Sequence, residues 1–235
     1  MPYLNSLASK YGLATQYFAD THPSIGNYFM LTTGQIITND DSFGATVDAD
    51  NIVRHLVPAG KTWRSYAEGL PAVGYLSDGP YPYAKNHNPF SYFSDVVNSS
   101  TQAANIVPFS QFPSDLSSGH LADFSFIAPD LQNDAHDGSL GQADGWLQQN
   151  IGPLISNPVF QNSLLIIVFD ESDLTDWENI GGHVAALIVS PKAKSGYKSI
   201  TLYQHQNTLR LILRALGISS FPGAAADAQD MSEFF

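Results

Sequence analysis

The chain has no cysteine. That excludes disulfide scaffolds, thiol nucleophiles and thiolate-held zinc, so any metal must rest on Asp, Glu, His, Asn or hydroxyl groups. Positive charge is also scarce, with 10 Lys and Arg against 22 Asp and Glu and a net charge of −12. No basic cluster is present to neutralise phosphates, which excludes nucleic acid as a partner and disfavours anionic membrane surfaces. No apolar run reaches bilayer-spanning length, so no integral membrane segment is expected. Residues 1–20 lack the charged start and apolar centre of a signal peptide, and the compartment is not legible. What is there is 235 residues with a hydrophobic fraction of 43%, enough core for one large α/β domain over residues 1–235.

The most apolar stretch runs from Leu164 to Phe169 without Gly or Pro and stops on Asp170-Glu171. Such a run predicts a strand buried on both faces of a parallel sheet. Ligands gather beyond the carboxyl ends of such strands, so two adjacent acids there point to a cation. The bland alternative is that Asp170 caps the following loop and Glu171 faces water.

Upstream, Pro2 to Lys10 reads as a helix and Leu13 to Ala19 as a strand. Ser24 then opens a helical segment through Tyr28 and Thr32, a position that suits a phosphate-attacking hydroxyl and an ordinary N-cap alike. Helix is predicted over 48–57 and strand over 61–67, whereas residues 69–121 are rich in Gly, Pro, Tyr, Asn and Ser with little periodicity. That segment reads as an ordered, loop-rich insertion roofing the site, in which His87 is a ligand or an aromatic-packed residue. A strand at Phe124–Ala128 leads into Asp130, Asp134, His136 and Asp137, a dense set of candidate ligands that also has the composition of a plain turn. A helix over 144–155 feeds the central strand. His183 precedes a further strand ending at Val189, and a last helix runs from Gln206 to Leu216. Alternating strands and helices give an α/β three-layer fold with a mostly parallel central sheet.

Taken together, the ordered motifs resemble the bacterial phosphoesterase family of acid phosphatases and phospholipases C, a branch of the alkaline phosphatase superfamily. The matching pieces are Pro2 to Ala8, Thr21-His22-Pro23-Ser24 to Tyr28 with Leu31 to Gly34, Lys61-Thr62-Trp63, His87-Asn88-Pro89-Phe90, Asn133 to Gly138, Asp170-Glu171 and Gly181-Gly182-His183. The resemblance implies an alkaline phosphatase-like fold and hydrolysis of phosphorylated small molecules or lipids with a divalent metal ion. It implies Ser24 as the nucleophile, His136 or His183 as proton donor, and His22, Asn27 and His87 as substrate contacts. It further implies Asp170 and Glu171 as metal ligands, with Asp130 and Asp134 at positions that hold a second metal. Family members are often secreted or periplasmic.

The chain departs from the family at Gly26 and Ala185, where Pro is usual. Family members also carry a first strand ahead of Pro2, ending in a Glu-Asn pair of metal ligands. The expectation is a truncated chain, weakly active or associated with a second copy through an exposed sheet edge. Two other readings stand beside the metal-dependent phosphoesterase. One is a non-catalytic homologue that binds phosphate or metal ligands. The other is a metal-free carboxylic ester hydrolase, which the missing G-x-S-x-G elbow places last.

Overall fold

Pro2 fixes the first turn of α1 (Pro2–Lys10), and the turn's free N–H groups are capped from far along the chain. The Asp144 carboxylate accepts from the backbone of Tyr3 and Leu4, each at 2.8 Å, which ties α1 to α7 (Leu140–Ser156). The computed structural model describes all residues from Met1 to Phe235. After α1 come β1 (Gly12–Tyr17), α2 (Ser24–Thr33), α3 (Ile52–Leu56) and β2 (Trp63–Ala67). The segment 69–121, irregular by sequence, holds α4 (Ser94–Val97), α5 (Ser100–Ala103), β3 (Ile106–Pro108) and α6 (Phe112–Ser118). Then follow β4 (Phe124–Ala128), α7, β5 (Leu165–Val168), β6 (Ala186–Val189), β7 (Lys198–Tyr203) and α8 (His205–Ala215).

The strands form two sheets, ordered β5-β6-β1-β7 and β3-β2-β4. Every pairing is parallel except those of β6, which runs against both β5 and β1. Side-chain alternation puts helices on both faces. Trp63 and Ala67 of β2 point into one core with Ile25 and Phe29 of α2, Val53 of α3 and Leu209 of α8. Tyr66 of the same strand enters the opposite core with Leu4 and Leu7 of α1, Phe112 of α6 and Ile151 of α7. This is the three-layer α/β arrangement that the alternation of apolar runs predicts.

Two expectations need correction. β5 is not buried on both faces in a parallel sheet, since it pairs only with β6, antiparallel, and all four of its residues are half-buried. Its open edge and that of β4 line a cavity of about 940 Å³ that runs down to Asp170 and Asp134. Nor is the 69–121 segment merely a roof. Phe90, Tyr92, Phe93 and Val96 are fully buried in the same core as α2, with Phe90 stacked on Trp63 at 5.1 Å. Burying four such side chains contributes several kcal/mol at about 2 kcal/mol each. The segment is thus part of the body that carries His87.

Candidate active site

β1 delivers the chain to a turn over Asp20–Pro23, from which α2 starts at Ser24. Asn27 braces that turn. Its Oδ1 accepts from the N–H groups of Asp20 and Thr21 at 2.9 and 3.2 Å, while its Nδ2 donates to Thr21 O at 2.8 Å. The side chain is fully buried, so Asn27 shapes the site from behind rather than facing a substrate. Gly26 beside it has a steric reason to be glycine. A Cβ there would meet Asn39 Oδ1 at 2.4 Å and Thr21 Cγ2 at 2.5 Å, because the 38–41 loop packs against the helix start.

Ser24 is buried and occupies the first helical position, behind Pro23 as N-cap, so its hydroxyl is free of capping duty. It donates to Glu171 Oε1 at 2.7 Å. Glu171 Oε2 lies 2.5 Å from His22 Nδ1, and His22 Nε2 lies 2.9 Å from Asp176 O. A carbonyl only accepts, so Nε2 donates to it, while Nδ1 faces the carboxylate. Ser24, Glu171 and His22 therefore form a line with the acid in the middle. Burial raises the Glu171 carboxyl above its ordinary range and Asp170 adds to the rise, against the lowering effect of hydrogen bonds from Ser24 and His22.

Asp170 is fixed through its backbone. Its carbonyl accepts from His205 Nε2 at 2.6 Å, and His205 Nδ1 faces the Tyr17 hydroxyl at 3.1 Å. The Asp170 Oδ2 atom is buried without a hydrogen-bond partner, a costly condition for a carboxylate oxygen. Across from it, His87 is 4% exposed. Its Nδ1 lies 3.2 Å from Asp134 Oδ2, off line for a hydrogen bond. Burial pulls the His87 pKa down, but Asp134, Asp170 and Asp41 outweigh it and hold the ring above its ordinary value. Tyr28 stacks on this ring at 4.9 Å, and its hydroxyl is pushed well up by burial and by Asp170, Asp134, Glu171 and Asp41.

The remaining sequence candidates lie further out. His136 is exposed, with Nδ1 on Asp137 Oδ1 at 2.8 Å and its ring 6.0 Å from that of His87. His183 stacks on Phe18 at 4.9 Å and turns its Nε2 to Thr15 O at 2.9 Å, so it braces β1 and does not meet Ser24. Asp130 uses Oδ1 to cap the N–H groups of Gln132 and Asn133, and Asp134 Oδ1 caps His136. The four acids expected to hold metal do not converge, since no three His, Asp or Glu side chains come together as a ligand set.

Sequence reasoning missed Asp41, Glu68 and His205 as parts of the site. Asp41 Oδ1 accepts from the Ile25 N–H at 3.1 Å, at the amino terminus of α2. Glu68 gathers the Asp130 N–H, Asn133 Nδ2 and Trp146 Nε1 at 3.0–3.1 Å, which holds the acidic loop in place. Asp41 follows Asp40 in a polar turn, and nothing in that pattern separates it from a solvated loop acid.

Known proteins resemble this chain along most of its length. A phosphatidylinositol-3-phosphatase of Mycobacterium tuberculosis is 36% identical over 180 residues, covering 73% of this chain and 56% of that protein. A probable acid phosphatase of Kluyveromyces lactis is 32% identical over 220 residues, covering 88% of this chain and 51% of its own length. The chain spans about half the length of these curated relatives. Among solved structures, an alkaline phosphatase superfamily protein from Vibrio parahaemolyticus superposes with a TM-score of 0.65 at 10% identity, over 99% of this chain and 65% of that one. A phosphonate monoester hydrolase from Silicibacter pomeroyi gives 0.60 at 13% identity, over 99% and 71%. These likenesses show the alkaline phosphatase-like fold. The Phosphoesterase family matches residues 1–219, and the chain belongs to that family.

Proposed function

We propose that the chain hydrolyses phosphate esters with Ser24 as the attacking group. The observation that carries this reading is the Ser24 hydroxyl at the start of α2, donating to Glu171 Oε1 at 2.7 Å beside the unpartnered Asp170 Oδ2. Glu171 Oε1 accepts from the Ser24 hydroxyl and is placed to take its proton, and burial raises this carboxyl above its ordinary value. His22 fixes the other carboxylate oxygen and so aims the first. His87, whose pKa the surrounding acids raise above its ordinary value, is the histidine we assign to give a proton to the departing alkoxide.

The donor set also fits a hard divalent cation. Asp170 and the adjacent Glu171, which takes the Ser24 hydroxyl, would hold it, and a buried carboxylate oxygen without a partner is what a cation would satisfy. When bound, such a cation neutralises charge on the phosphate oxygens and eases loss of the serine proton. Asp130 and Asp134 are engaged as loop caps and are left out of this set.

The carboxylic ester reading loses its base. Both His22 nitrogens are engaged away from Ser24, so no histidine touches the serine oxygen as a serine esterase needs. Turnover of p-nitrophenyl phosphate that is lost in EDTA and restored by divalent metal is the expected result, with p-nitrophenyl acetate untouched. Acetate hydrolysis that survives EDTA would overturn it. At the helix terminus, a phosphate oxygen reaches the Ile25 N–H only by displacing Asp41. Asp41→Asn removes that competing charge and is expected to lower the inhibition constant of inorganic phosphate by about fivefold, an effect on the order of 1 kcal/mol. A weaker phosphate inhibition in this variant would mean that Asp41 supports the anion site rather than occupying it.

A further inference from the structure

We propose that Leu174, Trp177 and Ile180 form an apolar lip that seats the alcohol side of the phosphate ester, so that the site selects esters of apolar, uncharged alcohols. The inference rests on the Ser24 reading and adds the class of substrate to it. These three residues stand within one short loop and are 62%, 62% and 63% exposed. Three large apolar side chains held in water on one loop mark a contact surface rather than a random scatter.

Their position relative to the chemistry is fixed. The loop returns at Gly181, where a Cβ would lie 2.6 Å from Ala19 C and Thr21 N, so its end rests on the turn that leads to Ser24. Its Asp176 carbonyl takes His22 Nε2 at 2.9 Å, and the Trp177 ring meets the His22 ring edge-on at 4.8 Å. From the Ser24 hydroxyl the contacts run to Glu171, then His22, then Trp177, so Trp177 stands two side chains from the nucleophile.

The backbone supplies a second, independent sign. Ile180 has φ of +83°, a left-handed conformation that a β-branched residue adopts only under strain. Asparagine or glycine would sit there more easily, yet the chain places an isoleucine and points it outward. Strain retained at an exposed apolar residue is a cost with no return inside the fold. Charge narrows the occupant. Asp173, Asp176 and Glu178 share the loop, so a second anionic group on the alcohol would be repelled. An aryl or long-chain alcohol meets both conditions.

The test compares 1-naphthyl phosphate with glycerol 2-phosphate. Trp177→Ala is expected to lower the ratio of kcat/KM for the first over the second by about five- to tenfold, the size of one aromatic contact. Ile180→Asn should lower the same ratio while raising the melting temperature, because it relieves the strained φ. A merely structural role for the loop predicts the opposite sign for stability and no change in the ratio. The ratio is also read as equilibrium Kd values in Ser24→Ala, which needs no turnover and separates failure of the lip from failure of the nucleophile assignment. Repeating it with phosphatidic acid in phosphatidylcholine vesicles tells a soluble aryl alcohol from a lipid one, since a larger loss on vesicles assigns the apolar partner to acyl chains. If both variants leave all ratios at the wild-type value, the lip does not contact substrate and the proposal is wrong.

Discussion

Ser24→Ala is expected to lower phosphate ester hydrolysis by on the order of a thousandfold or more, because attack on phosphorus then has no protein nucleophile. The fold should barely notice. The substitution removes one hydrogen bond to Glu171, worth about 1 kcal/mol, and a chain of this length loses about 2–4 °C of melting temperature for that. A rate assay on p-nitrophenyl phosphate paired with calorimetry reads both. Full activity in the variant would hand the attack to water and leave Ser24 as a brace for Glu171. A melting temperature lower by 15 °C would instead make the rate loss a consequence of unfolding.

The parts of this site that were legible in the sequence are those set by local patterning. The apolar run into Asp170-Glu171 and the Ser24 turn are both strand-to-element junctions, and the structure joins them through a 2.7 Å contact across 147 positions. The resemblance supplied the pairing, since no periodicity relates residue 24 to residue 171. What stayed hidden depends on tertiary packing. β5 reads as doubly buried because apolar runs report hydrophobicity and not the number of neighbouring strands, and the structure gives it only one. β7 (Lys198–Tyr203) was missed because its pattern is inverted, with Ile200 and Leu202 exposed and Ser199 buried. β3 is too short to show a period at all. His22 reads as part of the motif around Ser24, but its partner is the distant Glu171, and its role as the clamp on that carboxylate emerges only from the fold.

That clamp sets the second large expectation, an asymmetry between two single substitutions. His22 and Glu171 are 3% and 14% exposed at their side chains, so each shields the other from a poorly solvated setting. His22→Ala leaves Glu171 with an unpaired buried oxygen, and breaking such a pair from one side costs about 3 kcal/mol. The melting temperature should fall by about 6–12 °C. Glu171→Gln removes the charge that needed the partner and also its repulsion with Asp170, so its stability should equal or exceed that of the parent chain.

The two also part company with pH. The raised Glu171 pKa means that the folded chain holds this proton more tightly than the unfolded chain, whose carboxyl titrates near 4.5. Between 4.5 and the raised value the native state binds more protons, so stability from this group is present at low pH and is lost as pH rises through that window. His87 acts with the same sign, fully stabilising below 6.5 and fading as pH climbs through its raised value, but it is unchanged in Glu171→Gln and cancels in the difference. The stability gap in favour of the Gln variant should therefore open as pH increases from about 4.5 and then level off, as read by urea unfolding at stepped pH. A gap that closes over the same range would mean that Glu171 is stabilised as the anion by His22 and Ser24. In that case both its strength as a base for Ser24 and the asymmetry between the two substitutions would have to be given up together.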